Sequence, residues 1–237
     1  MADIAYPIAE RTLPNGLRVI VSQDRTVPSV TVNLWVKVGS RDEVPGRTGF
    51  AHLFEHLMFQ GSANVASGEH FSALMGVGGR LNATTWFDRT NYFEAVPTGG
   101  LDLALWLEAD RMANLNFSNQ DFANEMSVIR EERRQRTEDS PGGKLWEQLY
   151  LSSFQTDANR APIIGYMADL HALKAADLRR WYRRWYAPNN ATLVVVGDVR
   201  ADAVKALAER YFGLIAAQPL PTRKPQQEPA QVGIRRV

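Results

Sequence analysis

Two of the four histidines in this 237-residue chain lie within one helical turn of each other, in the segment His52-Leu53-Phe54-Glu55-His56. Side chains four residues apart point to the same side of an α-helix, so His52 and His56 can present two imidazole nitrogens to one metal ion. Zn²⁺ favours such ligands, and a catalytic zinc site takes three protein ligands and one water. Glu55 could accept a proton from that water, whose pKa the metal lowers towards neutrality. The segment therefore supplies two ligands and a base, and it needs a third ligand.

The surroundings of the two histidines leave other interpretations open. Burying polar groups without partners is costly, so three polar side chains on an apolar helix need a reason. A metal ion is one reason, and a hydrogen-bonded core network is another. In the plainest case the histidines merely lie on a helix and Glu55 is a surface charge. The scarcity of histidine in the chain favours the metal. The apolar neighbours are Phe50, Leu53, Phe54, Leu57 and Phe59.

A long helix downstream is the richest source of a third ligand. Ser118 can cap it, and the helical pattern runs to about Asp139. Glu125 and Glu132 are two turns apart and share a face beside an apolar stripe, so helix geometry nominates both and does not rank them. The charged run 130–134 is otherwise typical of a solvated face with ion pairs. The carboxylates on this helix are Asp121, Glu125, Glu131, Glu132, Glu138 and Asp139.

The elements that position these residues come as a run of strands, then helices, then one late strand. Thr48 can cap the helix that carries the two histidines, and Pro141-Gly142-Gly143 is expected to break the long helix. This order is typical of an α+β fold with helices packed on a mostly antiparallel sheet. The predicted strands are 17–23, 29–38, 80–85, 90–96 and 191–197, and the other predicted helices are 67–75, 101–114, 144–153, 174–186 and 201–215.

Composition bounds the domain organisation and the partners. Residues 1–216 are predicted to form one zinc-binding domain. Residues 217–237 are rich in Pro, Gln, Arg and Glu, and we interpret them as a linker and the start of a missing C-terminal domain. The net charge of +1 gives no sign of a nucleic-acid partner, and no apolar run is long enough to span a membrane.

The absence of cysteine excludes disulfides, thiol catalysis and thiolate metal sites, and it suits either redox environment. The N-terminal sequence MADIAYPIAERTL lacks the basic and apolar regions of a secretory signal. The expected location is therefore the cytoplasm as the sequence stands, or the periplasm or another exported compartment if a leader was removed.

The spacing H-x-x-E-H is the inverse of the common H-E-x-x-H zinc motif and marks the inverzincins. The chain resembles the N-terminal catalytic half of a pitrilysin-type zinc metallopeptidase, a group that includes insulin-degrading enzyme and the mitochondrial processing peptidase. The resemblance extends from Thr12 to Phe212. Its segments are LPNGLRVIV, GSRDE, GRTGFAHLFEHLMFQGS, GGRLNATTWFDRTNYFEAVP, LWLEADRM and YAPNNATLVVVGDV.

The resemblance implies roles that spacing alone does not give. It implies one Zn²⁺ per chain, bound by His52, His56 and Glu132, with Glu55 as the catalytic base. Glu125 matches a glutamate that supports the site without binding the metal. Glu131, next to the implied ligand, falls on the wrong face of the helix.

The resemblance also implies a mode of substrate binding. Residues Leu81, Asn82, Ala83 and Thr84 match an active-site edge strand to which an extended peptide adds its backbone. Phe87 could line a side-chain pocket or pack in the core. The two remaining histidines, His70 and His171, match no ligand and are expected to be structural or exposed.

The function implied is that of a zinc endopeptidase acting on peptides or unfolded polypeptide segments. Family members commonly have two related halves that close as a clamshell, so the implied partner is a homologous C-terminal half, on the same chain or as a separate subunit. A dimer is left open. The alternatives are a non-catalytic structural or partner subunit of the same family and a regulatory peptide binder that retains zinc.

Overall fold

The computed structural model describes residues 6–223 and 227–234, so the termini and part of the predicted linker lie outside the described residues. Within the described part, six strands form one sheet. They are β1 (Ile8–Thr12), β2 (Arg18–Gln23), β3 (Ser29–Val36), β4 (Arg80–Thr85), β5 (Thr90–Pro97) and β6 (Ala191–Gly197).

The sheet has the order β1-β2-β6-β3-β5-β4, with β1 and β4 at its edges. Only β2 and β6 pair in parallel, and the other four neighbouring pairs are antiparallel. The predicted α+β class and mostly antiparallel sheet are therefore confirmed. The residues of β1 are mostly exposed and lack the apolar alternation that predicts the other strands.

Nine α-helices lie in the described residues, and a π-helical segment, Arg134–Glu138, continues the fourth. None of them has the length and apolar character needed to cross a bilayer. The helices are α1 (Phe50–Leu57), α2 (Glu69–Gly76), α3 (Leu101–Asn114), α4 (Asn119–Arg133), α5 (Pro141–Ser153), α6 (Asp157–Arg160), α7 (Met167–Ala172), α8 (Ala175–Trp185) and α9 (Ala201–Phe212).

Two expectations about helix ends differ from the structure. The N-cap of α1 is Gly49, with φ of 89°, and not Thr48. The Thr48 hydroxyl instead donates to Asp169 at 2.7 Å, so a tertiary partner displaces the local cap. Pro141 does not only interrupt the preceding helix. It begins α5, where the missing N–H of proline costs nothing because first-turn N–H groups have no partner within the helix.

The helices pack on one face of the sheet. In β3 the side chains of Val30, Val32, Leu34 and Val36 are buried, while the alternate residues are only partly covered. Helix α3 packs on β3 and β5, α9 on β2, and α1 on β4. The histidine-bearing helix is thereby fixed between the core and the free edge strand β4.

The described part of the predicted linker lies against this domain. Arg223 donates from Nε to Asp42 at 2.6 Å and lies over the Trp185 ring. Glu228 accepts hydrogen bonds from the backbone N–H groups of Gln155 and Thr156 at 2.8 and 3.0 Å. An ion pair and hydrogen bonds to backbone groups therefore hold this segment against the domain, although its composition is typical of a linker.

Helix α3 carries two buried residues of opposite charge, Glu108 and Arg111, on the side that faces α2 and β5. Arg111 pairs with Glu108 and stacks over the rings of Phe59 and Tyr92. His70 is buried next to this group, and its Nε2 has no hydrogen-bond partner among the described residues. Burial, and then the charge of Arg111, lower the pKa of His70 to about 2. His70 is thus a neutral core residue, as the sequence predicts.

We expect His70 to make stability depend on pH. Its folded-state pKa is depressed, so between about pH 6.5 and pH 2 the unfolded chain binds more protons, and stability falls as the pH falls. Replacing His70→Phe should remove up to about 1.4 kcal/mol per pH unit from that slope. Urea unfolding at about pH 7 and pH 5, with zinc removed by a chelator, measures it.

The matched control is His171→Phe, because His171 is exposed on α7 and does not belong to the buried group. Equal slopes for His70→Phe and the wild type would contradict the assignment of a neutral buried imidazole.

Candidate metal centre

The N-terminus of α1 is held by two carboxylates from outside the helix. Glu43 accepts the backbone N–H groups of Gly49 and Ala51 at 2.9 and 2.8 Å. Asp169, from α7, accepts both the N–H and the hydroxyl of Thr48 at 3.0 and 2.7 Å. Acceptor oxygens at a helix N-terminus are favourable, because the first N–H groups have no partner within the helix. Burial outweighs the hydrogen bonds from Ala51 and Gly49 and raises the pKa of Glu43 to about 8. These contacts set where the side chains of α1 lie.

A close approach of two glycines joins α1 to the loop before α7. Gly49 and Gly165 both have positive φ, at 89° and 84°. A Cβ on Gly49 would lie 2.7 Å from a methyl of Leu170 and 2.8 Å from the carbonyl oxygen of Ile164. Only glycine fits at this contact, which brings Ile163 and Ile164 to the wall of the cleft above α1.

The three implied ligands lie together between α1 and α4. The Nε2 atoms of His52 and His56 lie 3.8 and 3.7 Å from Oε2 of Glu132, and the candidate ligand atoms are all within 4.8 Å of one another. A tetrahedral zinc ion with bonds of about 2.0–2.1 Å separates its ligand atoms by about 3.4 Å. Oε2 of Glu132 is buried and has no hydrogen-bond partner in the described residues. This donor set and its orphaned oxygen fit a zinc ion.

Glu125 binds the opposite side of His56. Its Oε2 lies 3.0 Å from Nδ1 of His56, and its Oε1 accepts the amide of Gln60 at 2.7 Å. An imidazole that donates Nδ1–H to a carboxylate keeps Nε2 free for a metal. The two glutamates that helix geometry leaves unranked therefore have different environments. Glu132 faces both histidines, and Glu125 lies behind one of them.

The π-helical segment that follows α4 carries two further cleft residues, Arg136 and Thr137. Arg136 forms an ion pair with Oε1 of Glu132, with 2.8 Å between the nitrogen and the oxygen, while Oε2 faces the two histidines. Glu131 instead points to solvent and pairs with Arg134. Glu131 and Glu132 therefore lie on different sides of the helix, and only Glu132 faces the histidines.

Burial and neighbouring charges shift the pKa values of the titratable side chains on α1. Burial, followed by the charges of His56 and Arg136, lowers the pKa of His52 to about 3, which keeps its imidazole neutral. Burial alone would also lower the pKa of His56, but the hydrogen bond and charge of Glu125 outweigh it and raise the pKa. Burial raises the pKa of Glu55, while a hydrogen bond from Thr85 opposes that shift. Glu55 is thus a carboxylate of raised basicity beside the donor cluster.

The cluster opens into a cleft of about 390 Å³. His52, Glu55 and Glu132 form its floor, residues 83–85 of β4 form one side, and Ile163 and Ile164 form another. An apolar recess of about 380 Å³ adjoins it and shares Arg136, Thr137 and Ile163. The aromatic side chains that line the recess are Trp86, Phe87, Trp146 and Tyr150. Phe87 thus lines a pocket, the first of the two roles left open for it.

The free edge of β4 borders the same cleft. The Ala83 N–H donates to the side-chain oxygen of Asn82 at 2.8 Å and does not pair with β5, so it faces the open edge. Backbone groups alternate along a strand, so Asn82 and Thr84 pair inward and Leu81, Ala83 and Thr85 present their backbone groups outward. Within the described residues no further strand pairs with this edge of β4.

Several residues that line the cleft or hold α1 in place are absent from the sequence-based predictions. Thr85 donates its hydroxyl to Glu55, and strand alternation alone would have placed it on the helix side with Ala83. Arg136, Glu43 and Asp169 carry no comparable sequence signal, because their roles come from tertiary contacts. His171 lies on α7 and is exposed, as expected.

Comparison with known proteins identifies the family to which this fold belongs. The profile described as insulinase, peptidase family M16, matches residues 18–165, and the profile described as peptidase M16 inactive domain matches residues 172–237. The chain belongs to peptidase family M16.

Two curated relatives illustrate the similarity. The chain is 36% identical over 230 residues to the zinc protease PqqE of Helicobacter pylori, covering 94% of this chain and 51% of that protein. It is 34% identical over 220 residues to an uncharacterized zinc protease of Mycobacterium leprae, covering 92% and 49%. The chain therefore spans about half the length of the curated relatives it matches.

Solved structures agree on the fold. A protease from Helicobacter pylori superposes with a TM-score of 0.91 at 34% identity, covering 95% of this chain and 55% of that chain. The periplasmic protease PqqL of Escherichia coli gives a TM-score of 0.86 at 25% identity, covering 97% and 26%. The first half of PqqL is matched over 49% of its length. The chain thus spans about half the length of a short relative and about a quarter of the length of a long one.

Replacing Glu132→Gln should lower zinc affinity strongly, because it removes the charged oxygen that faces both histidines. The loss should exceed the roughly 10- to 100-fold cost of removing a supporting residue, which is the effect expected of Glu125→Gln. Competition against a chromophoric chelator measures the affinities.

Glu131→Gln is the matched control, one position away on the same helix and exposed. It should bind zinc like the wild type. A larger loss for Glu131→Gln than for Glu132→Gln would move the ligand by one position.

Proposed function

We propose that this chain is the zinc-binding part of an endopeptidase that hydrolyses peptides or unfolded polypeptide segments. One observation carries the proposal: His52, His56 and Glu132 converge in a cleft that also contains Glu55 and a free strand edge. The zinc protease names of the relatives support the metal and the reaction class.

The residues of the cleft divide the chemistry among them. His52, His56 and Glu132 would hold a zinc ion, which would supply Lewis-acid activation of water and of the scissile carbonyl. Glu55 accepts the proton of the attacking water and passes it to the leaving amine nitrogen, as a general base and then a general acid. Its raised pKa suits both steps, because the proton must be taken up and released near neutral pH.

The substrate is proposed to bind as an added strand on β4. The outward backbone groups of Leu81 and Ala83 would pair with the peptide, and the inward pairs at Asn82 and Thr84 keep β4 in the sheet. The apolar recess next to the cleft would take a large apolar side chain close to the scissile bond. Backbone pairing gives affinity for any extended peptide, and the recess gives selectivity.

We further propose that a homologous unit completes the substrate chamber. The curated relatives are about twice as long, and the long relative PqqL is about four times as long. The completing unit would lie on the same chain or in a separate subunit.

A non-catalytic subunit is the second candidate, and the match to a profile named for an inactive domain is what favours it. That match covers residues 172–237, whereas the cleft is built from residues 52–164. The polar residues of the cleft are all present and converge in space, so the enzyme is the stronger proposal.

Replacing Glu55→Gln should reduce kcat about 10²- to 10⁴-fold, because an amide cannot accept the proton of water. Zinc content should not change, since Glu55 is not among the candidate ligands. A quenched fluorescent peptide with a central apolar residue measures cleavage, on the chain alone and mixed with a homologous C-terminal half.

Glu69→Gln is the control, because Glu69 is exposed at the start of α2. A chelator should stop the activity and added Zn²⁺ should restore it. Full activity of Glu55→Gln, or activity that resists chelation, would contradict the proposed mechanism.

Replacing Ala83→Pro should raise KM about 2- to 10-fold, the equivalent of one hydrogen bond, and leave the fold and the zinc content unchanged. Proline removes the N–H that faces the open edge, a position that edge strands tolerate. Michaelis–Menten kinetics and circular dichroism test this.

Thr84→Pro is the contrasting variant. It removes an N–H on the β5 side of the strand and should destabilise the sheet itself. An unchanged KM for a folded Ala83→Pro variant would remove the strand-addition step from the proposal.

A further inference from the structure

The two oxygens of the Glu55 carboxylate have different surroundings. Oε2 accepts the hydroxyl of Thr85 at 2.5 Å. Among the described residues, no hydrogen bond reaches Oε1. The protein thus holds one oxygen of the carboxylate, and the other is left to exchange a proton with a group in the cleft.

Thr85 is a rigid donor. It is the last residue of β4, it pairs with Thr90 across the hairpin, and its side chain is buried on the helix side of the sheet. A β-branched side chain in a strand has restricted χ1, so its hydroxyl occupies a fixed point. The glutamate side chain has three rotatable bonds and would otherwise lose its alignment.

Competing partners surround Glu55. The charges of His56 and Arg89 attract its carboxylate, and that of Glu132 repels it. Without a fixed donor, the side chain could turn towards the imidazole of His56. The hydrogen bond from Thr85 favours the arrangement in which the carboxylate faces the cleft.

We propose that Thr85 is a positioning residue that holds Glu55 through Oε2, so that Oε1 is the atom that exchanges the proton. This rests on the proposed peptidase function. It adds a geometric link, because Ala83 and Thr85 lie on the same strand and both face the cleft. The strand that would pair with the peptide therefore also carries the residue that positions the base.

The kinetic test uses Thr85→Val, which keeps the shape and removes the hydroxyl, and Thr85→Ser, which keeps the hydroxyl. We expect Thr85→Val to lower kcat about 10- to 100-fold, the typical cost of a misaligned catalytic group, with little change in KM or zinc content. Thr85→Ser should recover most of the loss. A purely structural role would not separate these two variants in this way.

Thr90→Val is the matched control. Thr90 is the residue paired with Thr85, it is also buried, and its hydroxyl donates to the carbonyl of Val38 and not to Glu55. It should keep the wild-type kcat. An unchanged kcat in Thr85→Val, or equal losses in Thr85→Val and Thr85→Ser, would overturn the proposal.

A second measurement does not depend on turnover. Crystal structures of the zinc-loaded wild type and of the two Thr85 variants should show one Glu55 rotamer when position 85 has a hydroxyl and several in Thr85→Val. A single unchanged rotamer in Thr85→Val would overturn the proposal. If the wild type cleaved no peptide, the peptidase function would fail, and the rotamers would still decide whether Thr85 positions Glu55.

Discussion

The structure depends on one constraint, which is that donor atoms from two separate helices must lie close enough to bind a single metal ion. His52 and His56 come from α1 and Glu132 from α4, and their ligand atoms are within 4.8 Å. A small shift of either helix along its axis would separate them. The contacts around α1 resist such a shift: Glu43 and Asp169 hold its start, Gly49 lies against Gly165, and Glu125 binds His56 from behind. Glu125 partners Nδ1 of His56, and Oε2 of Glu132 faces the ligand position, so these polar groups are not buried without a function. Nδ1 of His52 is buried and has no hydrogen-bond partner among the described residues.

Local sequence patterns predict much of this architecture. Helix α3, strand β6 and the Ser118 cap of α4 lie where periodicity and capping place them, because these elements bury one regular face. Glu125 and Glu132 show where local rules stop. Both share a helical face, and only the offset between α1 and α4 decides which one meets the histidines. That offset depends on tertiary packing, which local spacing does not give. The choice of Glu132 as the ligand came from the family resemblance.

Thr48 and Thr85 illustrate a second limit. Thr48 is a good capping residue by type, yet Asp169 binds it from 121 positions away and Gly49 caps the helix. Thr85 follows the four residues predicted to contact substrate and carries no signal of its own, although the alternation of the strand directs it to the helix side. In both cases a distant partner determines what the hydroxyl does. Short polar side chains are the residues for which this matters most, because many partners suit them.

The position of β6 in the sheet has a consequence for how the protein is made. Strands β2 and β3 are consecutive in the chain, but β6 lies between them, with Thr192 beside Arg18 on one side and Trp35 on the other. The sheet therefore stays in two parts until residues 191–197 are synthesised, about 10–30 s after β2 at typical translation rates. Two unpaired strand edges are exposed during that time, which is a hazard for aggregation. His52, Glu55, His56 and Glu132 all precede β6, so the residues of the metal centre leave the ribosome before the strand that closes the sheet beneath them.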